Sequence, residues 1–268
     1  MKKRFSHASI INRFAALAVL LAVCVVHAGD VAAKQLTFDF YLYPTSTTAE
    51  VKNNKFYVNG AEFFIKGAAC NSLNYSAKGF NPFWDEASSA GANTIRTYSP
   101  YDLGGSRAAI IASLNRLYSM NLFVIMGVGV STEESGFNYN DATARAQQIN
   151  KLKFEIDICK GHPAIIAWCL GNECDQKSGT GSVNTNVWTD INELAAYVKS
   201  VDGRPTSTAI TGIWNNRTTV ADIKAKAPNL NFICVNNYEG AVESLHTNWT
   251  KSGIGKPYLL SEFGPRGT

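Results

Sequence analysis

Two stretches of this chain combine an apolar run with a terminal glutamate. The first is His162-Pro163-Ala164-Ile165-Ile166-Ala167-Trp168-Cys169-Leu170-Gly171-Asn172-Glu173. The second is Lys256-Pro257-Tyr258-Leu259-Leu260-Ser261-Glu262-Phe263-Gly264. Runs of this kind read as buried strands. A single glutamate at such a place is more often a solvated loop residue than a reagent. Two of them at the mouths of different strands are the equipment for glycoside hydrolysis: one protonates the departing oxygen and the other attacks the anomeric carbon. Period-two alternation puts Ala167, Cys169 and Gly171 on the face of Glu173, and Ile166, Trp168 and Leu170 on the opposite face. Trp168 therefore reads as core rather than as a sugar platform. The same parity puts Tyr258, Leu260 and Glu262 on one face.

The elements that must hold these carboxylates follow a steady rhythm. Strands are expected at Phe64 to Cys70, Asn93 to Tyr98, Leu122 to Val130, Ala164 to Gly171, Thr206 to Ile210, Phe232 to Asn237 and Tyr258 to Phe263. Helices are expected near Pro82 to Ala90, Ser106 to Met120, Asp141 to Lys160, Asn186 to Val201, Thr219 to Lys226 and Val242 to Lys251. Asp141 suits an N-cap, and Gly161-His162-Pro163 stops the helix it begins. Ahead of them, Phe56 to Val58, Asn59-Gly60 and Glu62 to Ile65 read as a hairpin, because both positions of an Asn-Gly turn accept positive φ. Strands alternating with helices imply a parallel sheet with right-handed crossovers, either doubly wound or a β/α barrel. No Gly-x-Gly-x-x-Gly opens the first crossover, which disfavours a dinucleotide-dependent oxidoreductase. Polar residues recur at strand ends (Asn71, Arg96, Asn172, Glu173, Asn237 and Glu262), as in barrel enzymes. The expected fold is α/β, a (β/α)8 TIM-type barrel short of its eighth β/α unit and preceded by a short β-hairpin. Trp214, on the loop after the fifth strand, is a candidate to stack on a sugar ring.

The Gly-Asn-Glu and Ser-Glu-Phe-Gly strands resemble those of clan A glycoside hydrolases. Within that clan, His162 to Glu173 is most similar to the catalytic barrel of glycoside hydrolase family 2, the β-galactosidase and β-glucuronidase group. "FYVNGAEFFIKG", Phe56 to Gly67, resembles the entry of that barrel, and "GANTIRTY", Gly91 to Tyr98, its second strand. Fungal β-1,3-glucanosyltransferases share a similar entry, "TIR-Y" strand and "GNE". The resemblance runs from about Phe56 to Gly264. It implies that Glu173 is the general acid/base, Asn172 the residue binding the sugar 2-hydroxyl, and Glu262 the nucleophile. It implies that Arg96 orients Glu262 and that Tyr238 is the sixth-strand tyrosine beside it. It also implies retention of configuration, with carboxyl groups about 5–5.5 Å apart. A transglycosylase would use the same glutamates, and a barrel lacking a strand could instead be a non-catalytic glycan-binding fragment. The sugar-stacking tryptophan usual on the eighth strand and the β-sandwich domains usual ahead of the barrel have no counterpart here.

The chain of 268 residues is 46% apolar and 17% charged, a globular composition. Its formal charge of +4 is concentrated at the start. Lys2, Lys3, Arg4 and Arg13 precede an apolar run from Phe14 to Val26, followed by His27-Ala28. That pattern reads as a secretory signal peptide over residues 1–28, too short to span a bilayer. Its removal leaves 21 basic and 21 acidic residues, without the basic excess that nucleic-acid binding needs. An entry segment over 29–55 and the barrel over 56–268 would follow. The expected product is a secreted glycoprotein, without stable membrane insertion, acting on an oligo- or polysaccharide. Sequons begin at Asn74, Asn216 and Asn248. Five cysteines beyond the leader are too few for a disulfide scaffold. Cys169 and Cys234 sit in apolar runs and read as small core residues. Cys169 and Cys174 lack the spacing of a zinc pair. No His/Cys/Asp cluster has ligand spacing, so neither metal nor cofactor is expected.

Overall fold

Seven parallel strands lie side by side in strict chain order in the computed structural model. That order excludes a doubly wound sheet, in which the order reverses at a switch point. The structure describes residues 46–70, 82–176, 182–212, 217–238 and 242–264, all within one compact unit, Tyr43–Thr268. The expected leader, Asn71, Trp214 and the sequons at Asn74 and Asn216 lie outside the described residues.

The unit begins with an antiparallel meander of β1 (Ala49–Lys52), β2 (Lys55–Val58) and β3 (Ala61–Glu62). The hairpin expected around Asn59-Gly60 is present, with φ of +52° and +79° at its turn. A further strand, β1, precedes it through a second tight turn at Asn53 and Asn54, both with positive φ. The parallel sheet follows. Its strands are β4 (Gly67–Ala69), β5 (Thr94–Arg96), β6 (Phe123–Val128), β7 (Ile165–Asn172), β8 (Thr206–Thr211), β9 (Ile233–Asn237) and β10 (Tyr258–Phe263). The helices between them are α1 (Pro82–Ser89), α2 (Arg107–Ser119), α3 (Ala142–Cys159), α4 (Asn186–Val201), α5 (Arg217–Lys226) and α6 (Val242–Ser252). Asp141 caps α3, its Oδ1 accepting from the backbone of Thr143 and Ala144. Gly161, at φ +77°, turns the chain out of that helix.

Two apolar clusters show which way the sheet curves. The larger joins the helices to outward residues such as Ile95, Val124, Met126, Trp168, Leu170, Ile233 and Val235. The smaller fills the inside of the barrel with Ile125, Ile166, Ala167, Cys169, Ala209, Phe232 and Cys234. Trp168 is fully buried among the helices and donates its indole N–H to Asp202. The meander closes the end of the barrel where the strands begin. Phe56 meets Phe232 edge to face at 6.0 Å, and Phe63 meets Phe123 at 5.5 Å. Arg204 ties the start of the unit to this end, donating to the carbonyls of Thr47 and His162. Among the described residues β4 and β10 are the free edges of the sheet. A cavity of about 1110 Å³ opens beside them, lined by Phe64, Ala68, Arg96, Tyr258, Leu260 and Phe263 among others.

Simple alternation fails on both glutamate-bearing strands. The pairing of β6 with β7 passes from Val124–Ile165 to Ile125–Ala167, so Ile166 is an extra residue. It therefore faces the barrel interior beside Ala167, not the helices. The pairing of β9 with β10 passes from Val235–Leu260 to Asn236–Glu262, with Ser261 extra. Tyr258 and Leu260 pack outward and Leu259 inward, and the extra residue takes Glu262 off the face of Tyr258 and Leu260.

The aromatic seat of the meander should carry measurable stability. Truncating a fully buried phenylalanine costs about 3–5 kcal/mol, and Phe56 is half-buried. Phe56→Ala should therefore cost about 2 kcal/mol, read as a lower urea midpoint at unchanged m-value.

Candidate active site

Arg96 is the last residue of β5 and is only 4% exposed. A guanidinium there needs partners, because it remains charged and only donates. Its Nη1 donates to Glu262 Oε1 at 2.5 Å and its Nη2 to Asn172 Oδ1 at 2.7 Å. Nη2 also faces Cys169 Sγ at 3.7 Å. Burial alone would pull its pKa down, but Cys169, Cys234, Glu262 and Tyr98 hold it well above the ordinary arginine value.

Glu262 lies in the bulge of β10 and is nearly buried. Two tyrosines join Arg96 on its carboxylate. Tyr98 donates its hydroxyl to Oε1 at 2.8 Å and Tyr238 to Oε2 at 2.8 Å. Burial first, and the hydrogen bond to Glu262 second, raise both phenols; Tyr238 is pushed up to about 12. They stay protonated and so remain donors at any working pH. The ring of Tyr98 also lies 4.7 Å from the Arg96 guanidinium carbon.

Glu173 is held differently. The pairing of β7 with β8 passes from Cys169–Ser207 to Asn172–Ala209, which inserts one extra residue in β7. The chain passes through Gly171 at φ +82° and Glu173 at φ +53°. A Cβ on Gly171 would meet Cys174 Sγ at 2.6 Å and Val130 Cβ at 3.2 Å, so only glycine fits. This irregularity brings Asn172 onto the inner face together with Cys169, where alternation alone would have separated them. The Glu173 carboxyl accepts from two neutral amides: Asn236 Nδ2 to Oε1 at 2.9 Å and Gln176 Nε2 to Oε2 at 2.6 Å. Asn236 Nδ2 also donates to Asn172 Oδ1 at 3.1 Å, and Asn236 Oδ1 accepts from Ser261 Oγ at 2.8 Å. One hydrogen-bonded path thus runs Glu173–Asn236–Asn172–Arg96–Glu262.

Five of the six residues singled out in the sequence (Arg96, Asn172, Glu173, Tyr238 and Glu262) meet at this mouth. The sixth, Trp214, lies outside the described residues. Tyr98, Asn236 and Gln176 had no assigned role in the sequence. Tyr98 was legible in principle, two residues beyond Arg96 in the same motif, and Asn236 two beyond the inward Cys234. Gln176 reaches Glu173 through a tight turn, Gln176 N to Glu173 O at 3.0 Å, and carries no pattern a sequence reader would notice.

A strand-order barrel with two glutamates and an arginine converging at the strand ends defines a glycoside hydrolase catalytic barrel. The chain belongs to glycosyl hydrolase family 2: the family's TIM barrel domain matches residues 114–267, more than half of it. It is 23% identical over 254 residues to a β-glucuronidase of Paenibacillus borealis, covering 86% of this chain and 40% of that protein. Its fold is similar to that of the apo β-glucuronidase of Ruminococcus gnavus, with TM-score 0.60 and 20% identity over 81% of this chain and 39% of the other. The β-glucuronidase of Parabacteroides merdae gives TM-score 0.58 and 16% identity over 82% of this chain and 26% of the other. The chain therefore spans about 40% of the length of the curated relative. Arg96 and Tyr98 lie ahead of the family match, so their place rests on the geometry above.

The turn that carries Glu173 is pinned by a second carboxyl. Asp175 accepts from the backbone N–H of Thr211 at 3.1 Å and from its hydroxyl at 2.7 Å. Burial pushes Asp175 up to about 6 against those two bonds, from an ordinary 3.8. The folded chain therefore keeps this proton where the unfolded chain has released it, so the contribution to stability declines as pH rises from about 4 to 6. Asp175→Asn should remove that slope. The stability of the parent relative to the variant, from urea curves across this range, should fall by roughly 2–3 kcal/mol.

Proposed function

We propose that this chain is a retaining β-glycosidase that cleaves an oligo- or polysaccharide by double displacement on Glu262 and Glu173. The observation that carries the proposal is the unequal setting of the two carboxyls. Glu262 accepts from a guanidinium and two phenols, which fix the orientation of its carboxyl. Among the described residues, Glu173 accepts from two neutral amides and has no such cationic partner.

The steps follow from that division. Glu262 attacks the anomeric carbon through one oxygen while Arg96 and Tyr98 hold the other. Glu173 gives its proton to the glycosidic oxygen as that bond breaks, and the aglycone leaves neutral. Glu173, now a carboxylate, removes a proton from water, which displaces Glu262 and restores both groups. Two inversions give net retention. Asn172, fixed by Arg96 and Asn236, would bind the sugar hydroxyl beside the anomeric centre. The likeness to β-glucuronidases supports the β-linkage, and the carbohydrate substrate follows from the family. The basic and apolar start of the chain supports secretion, and the half-exposed position of Asn248 on α6 is compatible with its use as a glycosylation site.

The test is turnover of a panel of aryl β-glycosides, with product configuration read by proton NMR. Glu262→Gln should reduce turnover to background. Glu173→Ala should lower kcat/KM for poor leaving groups by about 10²–10⁴, with azide restoring turnover of activated substrates as a β-glycosyl azide. Tyr98→Phe removes one hydrogen bond to a charged oxygen and should cost roughly 10- to 100-fold in kcat/KM. An inverted product, or full activity in Glu262→Gln, would overturn the assignment.

A further inference from the structure

The hydrogen bonds around Glu173 have a fixed direction at one end and a free one at the other. Arg96 can only donate, so Asn172 must present its oxygen to it. Asn236 must then turn its amide nitrogen toward that same oxygen, which aims the nitrogen at Glu173 Oε1 as well. Ser261 Oγ donates to the other side of the Asn236 amide and agrees with this orientation. Oε1 therefore meets an N–H whose direction the network fixes. The neighbour of Oε2 is Gln176, whose Nε2 lies 2.6 Å away and donates to it independently of that network.

Resting on the reading of Glu173 as the acid/base, we propose that Gln176 is a positioning residue that stabilises the charge gathering on Oε2 as Glu173 gives up its proton. Protonated Glu173 accepts from Gln176 at Oε2 and directs its O–H to the glycosidic oxygen. As that proton leaves, negative charge grows on Oε2, and the Gln176 bond becomes a charge-assisted one. Its contribution is therefore greatest in the transition state of proton transfer. It vanishes for substrates whose leaving group needs no proton. The turn that sets the reach of Gln176 is held from both sides, by Gln176 N to Glu173 O and by Asp175 on Thr211.

The experiment measures kcat/KM for aryl β-glycosides from dinitrophenyl to unsubstituted phenyl, with the full chain and with Gln176→Leu. Gln176→Met serves as a second variant, and thermal melts check that both are folded. The expected result is a loss of about tenfold on the phenyl glycoside and less than about twofold on the dinitrophenyl glycoside. An equal loss across the series, or none with phenyl, overturns the proposal. Glu173→Ala on the same series separates the two ideas. If Glu173→Ala shows the leaving-group dependence and both Gln176 variants do not, only the role of Gln176 fails. If Glu173→Ala loses activity evenly and azide gives no glycosyl azide, the acid/base reading fails and takes this one with it.

Discussion

The buried guanidinium of Arg96 is the interaction around which the mouth of the barrel is organised. Removing a cation from water costs several kcal/mol, and the cost is recovered only when its hydrogens find well-placed acceptors. Arg96 finds them on two other strands: Glu262 on β10 and Asn172 at the end of β7. Each acceptor then has a remaining demand that recruits further residues. Glu262 takes the hydroxyls of Tyr98 and Tyr238, and Asn172 takes the amide of Asn236, which reaches Glu173 and Ser261. The polar site is thus the continuing satisfaction of one buried charge, and its members come from β5, β7, β9 and β10.

The same charge sets the two carboxyls of the pair in different surroundings. The arrangement does not depend on different residue types, since both are glutamates. It depends on which of them lies within reach of an arginine. Three donors, one of them cationic, hold Glu262 in a defined orientation. Two neutral amides hold Glu173 in place.

Much of this architecture was legible in the sequence, and what was not has a common cause. The seven parallel strands, the six helices and the hairpin at Asn59-Gly60 fall where periodicity and turn chemistry put them. The outward burial of Trp168 followed from alternation. Ile166, the shared face of Tyr258, Leu260 and Glu262, and Asn172 did not follow it: Ile166 is itself an extra residue, Ser261 is extra between Leu260 and Glu262, and another extra residue precedes Asn172. A bulge reverses the parity of everything after it on the strand. It leaves little trace in a short apolar run, because either face would accept the residues. The strand β1 escaped notice because four residues, Ala49–Lys52, carry one apolar side chain larger than alanine. Gln176 escaped because its role depends on a backbone turn rather than on residue pattern.

The free edges of the sheet give the ion pair a mechanical role. β5 and β10 lie on opposite sides of the opening beside β4. Within the described residues, the backbone path between them runs the long way round, through five successive strand pairings. Small changes of twist at each pairing accumulate along that arc and would displace β10 relative to β5. The Arg96–Glu262 contact, together with the hydroxyl of Tyr98, spans the opening directly and fixes the circumference at its upper rim. It works as a clasp on an open ring. Whatever engages Glu262 therefore bears on that clasp as well as on the carboxylate itself.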